Sequence, residues 1–170
     1  MDFWDKLFDD GAIWSFRPSE SAIIAAEYFH TNSITSLLIP GVGYGRNCSP
    51  FIKKGMELTG IEISSKAIKT ARRNKLTFPI FHGSVLNMPF SNLYFDGIYC
   101  YSVLHLFNRT ERKIFLQSCY NQLKPKGKMI FVVVSTNTSM FGEGKLVAKN
   151  RYKVQNGLHV YYYTPAAIEK

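Results

Sequence analysis

Ile39-Pro40-Gly41-Val42-Gly43-Tyr44-Gly45-Arg46-Asn47 is the stretch that decides the fold of this 170-residue chain. It follows Ile34–Ile39, a short apolar run that reads as a strand. Three glycines at alternate positions permit a tight turn and let a ligand approach the backbone closely. A helix is expected next, with its free N–H groups aimed at that ligand. Twenty-one residues after Gly41, Glu62 lies near the end of a second apolar run, Met56–Ile63. A carboxylate there can accept hydrogen bonds from both hydroxyls of a ribose.

Outward from this turn, apolar runs recur at Phe78–His82, Phe95–Tyr101, Lys128–Val134 and Leu158–Tyr163. Ile130-Phe131-Val132-Val133-Val134 is apolar without alternation, which suits a parallel strand covered on both faces. The segments between read as helices. Ser64 or Ser65 caps Lys66–Lys75, with Ala67, Ile68 and Ala71 as its apolar stripe. Asn108 and Glu111 form a capping box for a helix reaching Leu123, with Leu116, Tyr120 and Leu123 on one face. Ser19 or Ser21 starts an N-terminal helix carrying Ile23, Ile24, Ala26 and Phe29. Alternating strand and helix predicts a single α/β domain. Its sheet is Rossmann-like, doubly wound and mostly parallel, with helices on both faces. Residues 34–135 form the nucleoside-binding core and 1–33 an N-terminal helix and lid. Residues 136–170 hold a loop or lid and an incomplete C-terminal part. Within that part, Ser135–Asn156 is polar, with Gly142, Gly144 and the basic cluster Lys145, Lys149, Arg151 and Lys153.

Composition narrows the class. Hydrophobic residues are 46% and charged residues 19%, as in ordinary globular chains, which argues against disorder or a coiled coil. No window approaches 18 uninterrupted apolar residues, so no membrane span is expected. The acidic, aromatic N-terminus is unlike a signal peptide. Three scattered cysteines, Cys48, Cys100 and Cys119, suggest reduced thiols in a cytoplasmic protein, and no metal site. The net charge is +9, but residues 1–30 carry six acids against two bases, so the rest carries +13. A basic balance raises the prospect of a nucleic-acid partner. Lys66, Lys69, Arg72, Arg73 and Lys75 on one helix read either as an RNA-binding stripe or, preferred, as a solvated face.

The glycine pattern is G-x-G-x-G, with Arg46 where the dinucleotide fingerprint G-x-G-x-x-G ends, which disfavours an NAD-dependent oxidoreductase. This pattern resembles motif I of the class I S-adenosylmethionine-dependent methyltransferases. Gly83-Ser84-Val85-Leu86-Asn87-Met88-Pro89-Phe90 resembles the adenine-flanking segment after their third strand. Phe95–His105 resembles their fourth strand and its exit, and Leu123-Lys124-Pro125-Lys126-Gly127-Lys128 the entry to their fifth. The resemblance covers residues 34–135. It implies S-adenosyl-L-methionine bound by Gly41, Val42, Gly43, Gly45, Asn47, Glu62, Ile63, Ser84, Val85 and Tyr101. It also implies methyl transfer by in-line displacement, in which the enzyme mainly aligns the reactants. His105 is the candidate general base or substrate ligand.

A narrower resemblance, to thiopurine, thiol, halide and tellurite-resistance methyltransferases, lies in Ile39–Gly45, Gly45-Arg46-Asn47, Phe3-Trp4-Asp5-Lys6-Leu7-Phe8 and Trp14-Ser15-Phe16-Arg17-Pro18-Ser19. It implies a small-molecule acceptor and an N-terminal segment over the cofactor, with Trp14 either in that lid or in the core. Two positions depart from the wider class: Ile39 and Ser84 stand where many members carry an acid. A non-catalytic nucleoside-binding protein therefore stays open. So does an RNA or protein methyltransferase, although base-amino and cytosine-carbon methylation motifs are absent. Thr164-Pro165 reads as a helix start. The resemblance implies a further hairpin beside the fifth strand, for which Leu158–Tyr163 is the available run. Either the chain is part of a longer protein, or another element or a second subunit, as in a homodimer, covers that edge.

Overall fold

The computed structural model describes residues 2–8, 15–155 and 157–168. Trp14, expected in the lid or core, lies outside them. In chain order the elements are α1 Asp2–Leu7, α2 Glu20–Thr31, β1 Ser36–Pro40, α3 Ser49–Lys53, β2 Glu57–Glu62, α4 Ser65–Arg73, β3 Ile80–His82 and β4 Phe95–Tyr101. A 3₁₀ turn at Leu104–Leu106 follows. After it come α5 Arg109–Asn121, β5 Leu123–Val132, β6 Lys145–Ala148, β7 Arg151–Lys153, β8 His159–Tyr161 and α6 Pro165–Ile168.

The main sheet has the order β3-β2-β1-β4-β5, all parallel. Successive strands are added to one side of β1 up to β3 and to the other side from β4, so the crevice at the carboxyl ends of β1 and β4 is the topological switch point. Side chains alternate along each strand, so neighbouring residues serve opposite faces. Leu37 packs with Phe29, Phe51 and Tyr99, under α2 and α3. Leu38 packs with Ile61, Ile98, Phe115 and Cys119, under α5. At the opposite end of the strands, Asp96 accepts hydrogen bonds from the Ser36 N–H (3.0 Å), the Thr35 hydroxyl (2.9 Å) and Lys124 Nζ (2.9 Å). Burial opposes the charge, but these donors hold its pKa well below the usual carboxylate range.

The expected caps form. Ser19 caps α2, Ser64 caps α4, and Asn108 with Glu111 makes a reciprocal capping box on α5. The expected apolar faces do not all form. Ile23 and Ile24 are exposed on α2, whose buried face is Ala22, Ala25, Ala26 and Phe29. On α5 the buried face is Phe115 and Cys119, one residue before the expected Leu116 and Tyr120, which are exposed. This helix ends at Asn121, and Leu123 already pairs with Phe95 at the start of β5. Cys48, Cys100 and Cys119 are buried free thiols, and burial pushes Cys48 and Cys100 up to about 12.

The expected loop Ser135–Asn156 instead carries two strands, β6 and β7, of a second, three-stranded antiparallel sheet of order β6-β7-β8. Phe141, Tyr152 and Tyr162 meet edge to face beside it, at centroid distances of 5.4–5.9 Å. The Leu158–Tyr163 run therefore pairs with β7 rather than along β5. It reaches the main sheet only at Tyr163, whose N–H donates to Val134 O (2.9 Å) and whose carbonyl accepts from Thr136 (2.9 Å). Among the described residues, no helix is long and apolar enough to cross a membrane.

Phe115 is fully buried and Leu116 is 37% exposed. Phe115→Ala is expected to cost about 3–5 kcal/mol in urea unfolding, and Leu116→Ala under about 0.5 kcal/mol.

Candidate active site

The carboxyl ends of β1, β2, β3 and β4 open into one cavity of about 600 Å³. Its inner wall is the glycine turn. Gly41 and Gly43 have φ of +67° and +57°, a region that non-glycine residues enter only with strain. Gly41 lies against Val103, with no room for a side chain. An added Cβ on Gly43 would meet nothing within 4 Å, so the backbone there faces open space. The turn is held mostly by its own fold. Gly41 N–H donates to Ile61 O (2.8 Å), Gly45 N–H to Val42 O (3.0 Å) and Gly43 N–H to Glu62 Oε2 (2.8 Å). These bonds occupy the N–H groups of the three glycines, and the helix expected to aim its N–H groups at a ligand, α3, has only five residues, with Pro50 in its first turn.

Glu62 is 6% exposed and lines the cavity at the end of β2. Its Oε1 accepts from Ser64 N–H (2.8 Å), so the carboxylate grips the glycine turn with one oxygen and the start of α4 with the other. Burial raises its pKa, while the N–H groups of Ser64, Gly43 and Ile63 pull the other way. An ionised carboxylate has about four acceptor sites, so each oxygen keeps capacity for a ligand hydroxyl.

Most of the expected binding residues converge here. Gly41, Val42, Gly43, Asn47, Glu62, Ile63, Ser84, Val85 and Tyr101 all line the cavity. Two qualifications concern role. Asn47 Oδ1 accepts from Ser19 N–H (2.9 Å), fastening the entry of α2 to the turn. Ser84 Oγ accepts from Leu86 N–H (3.2 Å), leaving its own proton to donate.

Gly45 and His105 are not in the lining. Gly45 has φ of +80° and abuts Leu76, so its lack of a side chain serves packing. His105 is 6% exposed, in the 3₁₀ turn after β4, and its Nδ1 has no hydrogen-bond partner. Burial pushes its pKa down to about 4. The turn carries Leu106 into the cavity and His105 into the protein, because neighbouring residues of a turn point in different directions.

Other lining residues come from the N-terminal segment expected over the cofactor and from the second sheet. Trp4 and Phe8 of the N-terminal segment reach the cavity. Asp5 anchors that segment, accepting from Ser64 Oγ (2.6 Å) and the Lys66 N–H (3.3 Å), and the Ser64 bond leads in lowering its pKa. Phe8 and Phe16 pack edge-on to Tyr44, which follows Gly43. From the second sheet come Arg151, Leu158 and His159. Ser102, at the exit of β4, also lines the cavity with a strained φ of +59°. On the basic helix, Arg72 Nη1 is turned back onto Leu76 O (2.6 Å) and Phe78 O (2.9 Å), stitching α4 to β3. No cluster of three or more His, Cys, Asp or Glu occurs among the described residues.

A sequence profile described as a methyltransferase domain matches residues 38–131, more than half the chain, so this protein belongs to that family. No curated protein matches the sequence significantly. Solved structures with the same fold include the CcbJ methyltransferase from Streptomyces caelestis, 15% identical with a TM-score of 0.74, covering 98% of this chain and 83% of that one. A second is the 1,6-didemethyltoxoflavin-N1-methyltransferase of Burkholderia thailandensis, with bound 1,6-didemethyltoxoflavin and S-adenosylhomocysteine. It is 19% identical with a TM-score of 0.67, covering 88% of this chain and 64% of that one. The glycopeptide N-methyltransferase MtfA, complexed with S-adenosyl-L-methionine, is 19% identical with a TM-score of 0.59, covering 68% of this chain. The chain spans only 56% of MtfA's length. At such identities the likeness establishes the fold.

Two measurements test this geometry. Gly43→Ala and Gly45→Ala both incur the left-handed strain of about 1–2 kcal/mol, and Gly45→Ala is expected to lose a further ~1–3 kcal/mol by overpacking Leu76. Urea unfolding of the pair checks the difference. His105 has a folded pKa of about 4 against an ordinary 6.5, so the unfolded chain takes up its proton first. Stability from this residue is full above 6.5 and declines as pH falls toward 4. Between pH 7 and pH 5 it should contribute a loss of about 2 kcal/mol, absent in His105→Asn, read as the difference between their urea midpoints.

Proposed function

We propose that this protein binds S-adenosyl-L-methionine and transfers its methyl group to a small-molecule acceptor. The observation that carries the reading is Glu62, a buried carboxylate at the end of β2, gripping Gly43 and facing the same cavity. The donor set fits that cofactor: Glu62 accepts from ribose hydroxyls, Ser84 and Val85 flank the adenine, and the open face of Gly43 admits the chain that carries the sulfur. When bound, the cofactor supplies an activated methyl group on a sulfonium sulfur.

The protein's part is binding, alignment and exclusion of water. Trp4 and Phe8 close one side, and Tyr101, Leu106 and Phe107 form the other. In this reading His105 is not the general base: it is buried outside the cavity lining, and burial that lowers its pKa also weakens it as a proton acceptor. The residues Phe3–Phe8 support the finer likeness to thiopurine, thiol and tellurite-type enzymes, since Trp4 and Phe8 cover the cavity where that likeness puts the N-terminal segment.

Calorimetric titration tests the reading. S-adenosylhomocysteine is expected to bind in the micromolar range and NAD not to bind. Glu62→Gln is expected to weaken S-adenosylhomocysteine about tenfold or more, because a neutral amide accepts ribose hydrogen bonds less strongly. No binding to the wild type at ~1 mM overturns the proposal.

A further inference from the structure

Arg151 lies on β7 and lines the cavity. Its Nη2 donates to Leu106 O at 3.4 Å, while Nη1 is buried with no hydrogen-bond partner. Among the described residues it forms no ion pair. Burial and the nearby charge of Arg112 both disfavour its cation, and Glu111 offsets them only in part. Glu111 Oε2 is already held by the Asn108 N–H (2.7 Å) in the α5 capping box. Arg112 is also engaged: Nη1 donates to Phe107 O (2.9 Å), and the guanidinium stacks on Tyr161 at 4.0 Å. Among the described residues on this wall, Arg151 is therefore the guanidinium with a nitrogen that lacks a hydrogen-bond partner. Leaving such a group unpaired is costly, and a bound anion would relieve that cost.

Strand order fixes which end of the cavity this is. Glu62 and Ser84 follow β2 and β3 on one flank of the glycine turn, whereas Leu106, Phe107 and Glu111 follow β4 on the other. Arg151 hydrogen-bonds to that second flank. Phe107, Leu106 and Leu158 beside it are apolar.

We propose that Arg151 is an acceptor-binding residue that holds a carboxylate, selecting methyl acceptors with an aromatic or apolar body and a planar anionic group. The guanidinium fork matches a carboxylate with two parallel hydrogen bonds, a geometry that lysine and neutral amides do not supply. This rests on the reading above that the cavity takes S-adenosyl-L-methionine. A carboxylate could also come from the amino-acid end of that cofactor, and the experiment separates the two sources.

Protein saturated with S-adenosylhomocysteine is titrated with benzoate, 3-phenylpropionate and indole-3-acetate, and with their uncharged amides, by ligand-observed NMR. At least one carboxylate is expected to bind about tenfold tighter than its amide, and Arg151→Gln to remove that preference. Affinity for S-adenosylhomocysteine should stay within about twofold in Arg151→Gln, and Arg151→Lys should recover only part of the preference. Equal binding of acids and amides to the wild type, or no acid binding at ~10 mM, overturns the proposal without need of a variant. A tenfold loss of S-adenosylhomocysteine binding in Arg151→Gln also overturns it, assigning the arginine to the cofactor. Failure of the wild type to bind S-adenosylhomocysteine is read separately and sinks the underlying function instead.

Discussion

The Glu62 carboxylate is the constraint on which the site depends. A charge so buried is costly unless hydrogen-bonded, and here both oxygens are taken by backbone donors. One donor, Gly43, belongs to the turn after β1; the other, Ser64, belongs to the cap of α4. The same Ser64 presents its hydroxyl to Asp5, which fastens α1 over the cavity. A short relay of Gly43, Glu62, Ser64 and Asp5 thus couples the floor of the site to its cover. The turn is held by protein donors and acceptors alone, an arrangement that lowers the entropy cost of ordering it around a ligand.

The same relay gives the uneven charge a local meaning. The acidic N-terminal residues belong to a chain whose remainder is strongly basic. Asp5 meets the start of α4, where backbone N–H groups lack partners of their own and a carboxylate is favourable. Meanwhile the basic residues do not form one face. Arg72 closes the end of α4, Arg112 stacks on Tyr161, Lys124 pairs with Asp96, and Arg151 enters the cavity. Part of the charge that suggests a polyanionic partner in composition is thus engaged in internal contacts.

How much of this was legible follows from where the constraints are local. Caps at Ser19, Ser64 and Asn108 depend on residues three apart, so sequence exposes them. The glycine turn and Glu62 are tied by the fixed length of a βαβ unit, so their spacing is legible too. Helix faces were less so. On α5, Phe115 and Leu116 are both apolar neighbours, and only the position of β5 and β4 decides which stripe is buried. Gly45 completes the glycine pattern yet answers to Leu76, a contact across more than thirty residues that no local reading shows.

The two ends of the cavity differ in origin, and that explains why only one was anticipated. The nucleoside end is made where parallel strands stop, a place the fold dictates once the strand order is set. The far end is bounded by the β6-β7-β8 sheet, an addition to that fold, while α1, fastened by Asp5 at the start of α4, covers the flank of Glu62. β6 and β7 are only four and three residues long, each opens on a basic residue, and they lie among polar residues with Gly142 and Gly144, so Ser135–Asn156 reads as loop. What holds it is a tertiary aromatic contact, Phe141 with Tyr152 and Tyr162, together with Tyr163 hydrogen-bonded at the end of β5. Pairing then sets the register of β7 opposite Tyr161, and that register is what delivers Arg151 to the cavity wall. A shift of one residue would turn Arg151 to the other face of this small sheet. With Arg151 as the proposed acceptor-binding residue, acceptor selection becomes a property of strand register in the added sheet, and cofactor binding a property of the parallel core.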